Sequence, residues 1–565
     1  MITRTHRTLA VLTAGVLIAA CSGRDAAETT TTPPSAVDTT VASGDTTPAG
    51  SGDTTTTVAE DPGMSPTTPA ATTEVGEITW ALYREPNTLD PIYSYDYPEN
   101  TVLTAMCDSL VQQQPDGSLA DGIASLAQPD DTTLVFTIRD GVTFWDGSPL
   151  TADDVVFSLQ RQADVSLGGF YSQVFQYVTG IEATAPNEVT ITTSQADAWL
   201  AGELSSMPGI IVSKAFAEAA GAAFGTPDGG TMCTGSFALD NWAVGERLSV
   251  TRNESYWNGT PLVQAIDFVG VPDEATLVSG LLSGDIDGSY IGPVAAFDRL
   301  TSDPSLTVTQ GPSYASTALI VSSLDGVLGD VAVRTALSDA LDRQGLIDVL
   351  YGGAATMPKA VAAPGSWGYS RDVFQAGWDA LPEPVQDVEA ARAAVEEAGA
   401  AGQTLHLATT NEIASIATTV SVIQTAAEDI GLSVELTTVS AANYINLFID
   451  PSARAGIDGF VTVNYSDFAD PAALLGTFAV ANGSQNYSGY DNPEITALFD
   501  EARAELDPDA RAELIVQAQA LIQQEMVWIP IVHPTTVLVT SAELTGAPSS
   551  FVYMHGPWAA TLGGV

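Results

Sequence analysis

The chain has 565 residues, 69 of them acidic and 18 basic, for a formal net charge of −51. So negative a surface repels nucleic acid and anionic lipid headgroups, which excludes both as partners held by charge. With 45% hydrophobic residues the chain is globular rather than disordered, and its length suffices for two or three domains with sizeable cores.

At the amino end, Arg4, His6 and Arg7 precede an apolar run from Leu9 to Ala20, and Cys21 follows at once. A basic start, an apolar core too short to span a bilayer and small residues before a cut make an export signal. Ile18-Ala19-Ala20-Cys21 resembles the bacterial lipobox, where the signal is removed and the cysteine receives acyl chains. Residues 1–21 are therefore expected to be a lipoprotein signal ending in a lipidated Cys21. That places the protein outside the cytoplasm, anchored to the outer face of the cytoplasmic membrane. Residues 22–76 are mostly Thr, Pro, Ala, Ser, Gly and acid, too poor in large apolar groups to offset chain entropy, and read as a disordered linker.

Order is expected from Glu77-Ile78-Thr79-Trp80-Ala81-Leu82, which alternates as a strand does. Leu134–Ile138 reads as another strand, closed by the turn pair Asp140-Gly141. Thr151-Ala152-Asp153-Asp154 has the form of a capping box and opens a short amphipathic helix through Val155, Val156 and Leu159. Val333, Ala336, Leu337, Ala340 and Leu341 recur at helical spacing. Asp507-Pro508 starts a third helix, with Asp507 as the cap and Pro508 in the first turn, and Leu514, Ala518, Leu521 and Ile522 form its apolar face. After Trp528-Ile529-Pro530-Ile531, strand character returns near 535–540.

Catalytic and metal signatures are sparse. No G-x-S-x-G elbow occurs, and both lysines, Lys214 and Lys359, follow Ser213 and Pro358, so neither belongs to a Walker-A loop. Carboxylates are too abundant for any pair to identify an acid/base site. His6, His406, His533 and His555 show no paired spacing, so no metal cluster and no cofactor is expected. With Cys21 assigned to lipid, Cys107 and Cys233 remain, as one disulfide or as two buried thiols.

Several ordered blocks resemble the family 5 extracytoplasmic solute-binding proteins of dipeptide, oligopeptide and nickel importers. Asn87-Thr88-Leu89-Asp90-Pro91 is similar to the first signature. The longest match, Cys107 to Arg161, contains Asp140-Gly141-Val142-Thr143-Phe144-Trp145-Asp146-Gly147. Thr234-Gly235-Ser236-Phe237 with Arg252-Asn253-Glu254-Ser255-Tyr256-Trp257, then Arg334-Thr335-Ala336-Leu337 with Ala340-Leu341-Asp342-Arg343, and Tyr490-Asp491-Asn492-Pro493 follow in order. Gly141 and Gly147 read as turn residues, Trp145, Tyr256 and Trp257 as core residues, and Arg334 and Arg343 as helix-surface or inter-lobe residues.

The resemblance implies an α/β, two-lobed fold of the periplasmic-binding-protein type with a central cleft and an extra small domain on the first lobe. The first lobe is expected at 77–318, the second at 319–529, and a return to the first at 530–565. Cys107 and Cys233 fall in blocks of the same lobe, so a disulfide between them is expected. The implied function is the solute-binding component of an ABC importer, a monomer and not an enzyme. It would bind a small, peptide-like solute and deliver it to a membrane permease. A sensory or adhesion receptor on the same fold, and a binder of nickel complexes or other non-peptide solutes, are the alternatives, with a hydrolase a more distant one.

In peptide-binding members an aspartate of the second lobe pairs with the ligand's α-amino group, and Asn464-Tyr465-Ser466-Asp467 places that role on Asp467. Asn464 and Ala441 stand where such members often carry aromatics, leaving Tyr444 and Tyr465 as nearby wall candidates. Tyr171, Arg84 and Glu85 are the candidates from the first lobe.

Overall fold

The computed structural model describes residues 64–292 and 296–565. Cys21, the export signal and most of the expected linker lie outside the described residues. Three sheets organise the rest. The first has seven strands in the spatial order Leu306–Gly311, Thr536–Ser541, Gly288–Ile291, Val75–Leu82, Val263–Gly270, Arg247–Arg252 and Phe237–Ala243. The second has six, in the order Ala355–Thr356, Trp528–Pro534, Ser316–Val321, Gly459–Asn464, Thr404–Thr409 and Ser433–Thr438. The third has four antiparallel strands, Ala124–Asp130, Thr133–Ile138, Glu188–Thr193 and Val178–Ala185. It carries the helix Ala152–Ala163 and builds its own core around Phe136, Val155 and Leu159. These are two α/β lobes and a small domain attached to the first.

Local chemistry accounts for the elements anticipated above. Thr151 and Asp154 form the reciprocal capping box, with the Thr151 amide donating to Asp154 Oδ2 at 3.1 Å. Asp507 accepts from the amides of Asp509 and Ala510 and starts the helix Pro508–Glu525. Asp140-Gly141 turns the chain with Gly141 at φ 82°, a conformation that a side chain would resist.

Three expectations are corrected. Residues 65–76, read as linker, are joined to the body. The Ser65 amide donates to Gln310 O at 3.0 Å, the Thr72 amide to Gly564 O at 2.9 Å, and the Thr68 hydroxyl to Ala547 O at 2.7 Å. Small polar residues build no core of their own, but their backbone and hydroxyl groups pair with the carboxyl-terminal segment, which composition does not register.

The crossings between lobes also differ from the expected boundaries. Ser316–Val321 already pairs in the second sheet, and Trp528–Pro534 still does, so the return to the first lobe begins at Thr536 rather than at 530. Finally, Arg334 and Arg343 are neither surface nor inter-lobe residues. Arg334 donates to the carbonyls of Glu525, Met526 and Leu328, closing the carboxyl end of Pro508–Glu525 where Met526 turns left-handed at φ 45°. Arg343 donates to Ser338 O and Pro530 O. Five fixed N–H donors make a buried guanidinium a good sink for carbonyls orphaned at a helix end.

Cys107 and Cys233 are bonded, with Cα atoms 5.0 Å apart. Beside the bond the buried Asp108 accepts from the Thr234 hydroxyl at 2.8 Å, the Tyr256 hydroxyl at 2.8 Å and the Trp257 indole at 3.0 Å. Tyr256 and Trp257 thus serve the frame of the first lobe. No helix among the described residues is long and apolar enough to cross a membrane.

Candidate binding cleft

The strand Gly459–Asn464 of the second lobe ends in a loop that reaches the first lobe before Asp470 caps the helix Pro471–Phe478. Asn464 holds the loop at its start, accepting from the Tyr465 amide at 2.9 Å and donating to Gln485 Oε1. The Tyr465 hydroxyl then crosses to the first lobe and donates to Tyr95 O at 2.9 Å. Its ring meets Tyr97 and Phe551 at centroid separations of 5.3 and 5.1 Å. Gln113 of the first lobe donates to the main-chain oxygen of Asp467 at 3.3 Å and accepts from the Tyr314 hydroxyl at 3.2 Å.

On the opposite wall Gly202 lies against Phe468. A Cβ at this position would stand 2.4 Å from the Phe468 ring, so only glycine allows the two segments so close. Glu203 follows Gly202 and Asp467 precedes Phe468, so the contact joins the two segments that carry these acids, and Glu203 feels the charge of Asp467. Among the described residues neither carboxylate has a hydrogen-bond partner. Burial pushes the Asp467 carboxyl up to about 6. Burial, with the negative charge of Asp467 next, pushes Glu203 up to about 8 against the opposing pull of Arg503. Tyr171 completes this corner. Its hydroxyl donates to Ser94 O at 2.7 Å, and burial followed by the charges of Asp467 and Glu203 raises its pKa well above the ordinary range. The corner is acidic, aromatic and poorly solvated, a setting in which a cation gains more from a carboxylate than it does in water.

The expected site residues divide into two groups. Asp467, Asn464, Tyr465 and Tyr171 meet at the seam between the lobes. The other four are used elsewhere. Arg84 donates to Asp96 at 2.7 Å and to both oxygens of Glu99 at 2.7 and 2.9 Å. Glu85 accepts from the Trp242 indole at 2.6 Å and the Gly245 amide at 2.9 Å. Tyr444 lies in the second-lobe core, its hydroxyl donating to Val461 O at 2.9 Å. Ala441 begins a short helix and donates its amide to Glu412 Oε2 at 2.9 Å. Sequence reading missed Glu203, Gln113, Tyr97 and Phe551. Each belongs to a common residue type outside the recognised blocks or without a motif, and only the tertiary fold brings them to the loop that carries Tyr465 and Asp467. No group of three or more His, Cys, Asp or Glu side chains arranged to hold a metal occurs among the described residues.

Two lobes joined by crossing strands, with an acidic aromatic corner at their seam, define a protein that encloses a small solute. The model of the bacterial extracellular solute-binding proteins, family 5, matches residues 118–486, and the chain belongs to that family. Its members are binding proteins rather than enzymes. The chain is 26% identical over 450 residues to heme-binding protein A of Haemophilus influenzae, covering 74% of this chain and 79% of that one. It is 25% identical over 509 residues to the periplasmic murein peptide-binding protein MppA of Escherichia coli, covering 84% and 91%. Among solved structures, the periplasmic binding protein DppA of Helicobacter pylori, in complex with the peptide STSA, superimposes with a TM-score of 0.75 at 20% identity. That match covers 87% of this chain and 98% of the other.

Proposed function

We propose that this protein is the lipid-anchored receptor of an ABC importer and binds peptide-like solutes bearing a free amine in the cleft between its lobes, delivering them to a membrane permease. The observation that carries the reading is Asp467, a carboxylate at the lobe seam with no cation among the described residues to balance it. An ammonium ion of a ligand is the natural complement, and a charge-assisted bond there is worth about 1.5–3 kcal/mol. Tyr465, Tyr97 and Phe551 supply the aromatic wall that such a ligand would cover. The peptide relatives and the peptide-bound neighbour support the class of solute, and the lipobox-like Ile18-Ala19-Ala20-Cys21 supports the anchor.

The reading is tested by thermal shift across a library of free-amino di- to pentapeptides, followed by native mass spectrometry of the hits. A peptide at one hundred times its dissociation constant adds about 2.7 kcal/mol of stability. Shifts restricted to non-peptide solutes would reject the peptide class. The anchor is tested by metabolic labelling with palmitate, which Cys21→Ser should abolish.

A further inference from the structure

We propose that the small domain is a clasp: its segment 197–204 plugs into the second lobe through Trp199 and holds the cleft shut before a solute arrives, so that it sets how fast solutes enter and leave. The inference rests on the reading that solutes bind between the lobes, and adds to it a role for the small domain.

Two adjacent residues of this segment are anchored in different cores. The backbone makes one helical turn, Leu200–Glu203, with the Glu203 amide donating to Trp199 O at 2.9 Å and the Leu204 amide to Leu200 O at 3.0 Å. Leu200 and Leu204, four residues apart, share one face and are fully buried in the core of the small domain. Trp199 lies instead in the hydrophobic core of the second lobe, 6% exposed, its ring 6.3 Å from that of Phe499. The indole N–H has no hydrogen-bond partner among the described residues. Packing, with the Arg503 guanidinium 4.3 Å over the ring, therefore holds it there.

The seat of Trp199 is fastened on both sides. The Ala198 amide donates to Arg503 O at 2.8 Å, the Arg503 guanidinium donates to Asp197, and Gly202 lies against Phe468 with no room for a side chain. The exchange is reciprocal. Ala469 of the second lobe is buried in the first-lobe core, Tyr465 packs against the same core, and a Cβ on Gly117 would stand 2.9 Å from the Ala469 Cβ. Each lobe thus lends apolar side chains to the core of the other.

All of these contacts join groups of the chain itself, and none uses the Asp467 carboxylate. Parting the lobes returns Trp199 to water and leaves the buried Asp197 carboxylate without its cation. The clasp therefore favours closure of the empty cleft and of the filled cleft by the same amount. With the empty protein mostly shut, such a contribution cancels from the equilibrium affinity and remains in the rates. A solute enters only while the lobes are apart and leaves only when they part again.

The test combines small-angle scattering with stopped-flow binding of the tripeptides Xaa-Ala-Ala to wild type, Trp199→Ala and Trp199→Phe. Free and tripeptide-saturated wild type should have the same radius of gyration. Free Trp199→Ala should be larger, with association and dissociation both about tenfold faster or more and the dissociation constant within about threefold of wild type. Trp199→Phe keeps a ring in the seat and should stay near wild type. Free wild type that contracts on binding would overturn the proposal. So would Trp199→Ala that binds more weakly at an unchanged association rate, which is how a clasp formed only around a solute would behave. Should Trp199→Ala fail to fold, Arg503→Ala takes its place in each comparison. Binding of none of the tripeptides would count against the functional reading alone, and scattering of the free proteins would still decide the clasp: equal radii for wild type and variant would overturn it.

Discussion

One guanidinium nitrogen of Arg503, in the second lobe, donates to both oxygens of Asp197 in the small domain of the first, at 3.1 and 2.9 Å. The guanidinium also lies over the Trp199 ring at 4.3 Å, and the Asp197 side chain is only 1% exposed. Removing the cation strands a carboxylate whose pKa burial already raises. Arg503→Ala should therefore lower stability by about 3–5 kcal/mol in chemical denaturation and increase the radius of gyration in small-angle scattering as the lobes part. An unchanged radius would show that the pair does not hold the closed arrangement.

The disulfide closes a long loop, since Cys107 and Cys233 are 126 residues apart. Replacing both by serine should cost about 2–5 kcal/mol, read by denaturant unfolding. Asp108 and its three donors remain to hold the same junction, so the variant should still fold and bind. A loss below about 1 kcal/mol would mean that the hydrogen bonds alone suffice.

Stability of the ligand-free protein should depend on pH through the acidic corner. Asp467 and Glu203 are raised to about 6 and about 8, so between about pH 4.5 and 8 the folded protein holds more protons than the unfolded chain. Stability therefore falls as pH rises through this window, and the contribution vanishes below it, where both states are protonated. The double variant Asp467→Asn, Glu203→Gln should have a flatter profile than wild type over the window and melt higher at pH 8. Parallel profiles would contradict the placement of the two carboxylates.

What the sequence shows depends on how local the physics is. The capping box of Thr151 and Asp154 and the start at Asp507-Pro508 are decided within four residues, and they are legible. Asp467 is singled out by a block that resembles the family, not by local physics. Residues 65–76 look like linker because their partners, Ala547 and Gly564, are hundreds of positions away. Arg334 looks like a surface charge because the carbonyls it satisfies belong to Glu525 and Met526. Arg84 and Glu85 precede the first signature as pocket residues would, but Asp96, Glu99 and Trp242 claim them. Glu203 is one acid among 69, and only the contact of Gly202 with Phe468 distinguishes it.

The measurement that bears most directly on the central claim is the affinity of Asp467→Asn for a bound tripeptide and for its N-acetylated form. The substitution keeps the size of the side chain and removes its charge. It should weaken the free-amine peptide by about 1.5–3 kcal/mol, about 10- to 100-fold in dissociation constant, and leave the weaker acetylated peptide nearly unchanged. Equal losses for both peptides, or no loss for either, would contradict an amine held at Asp467.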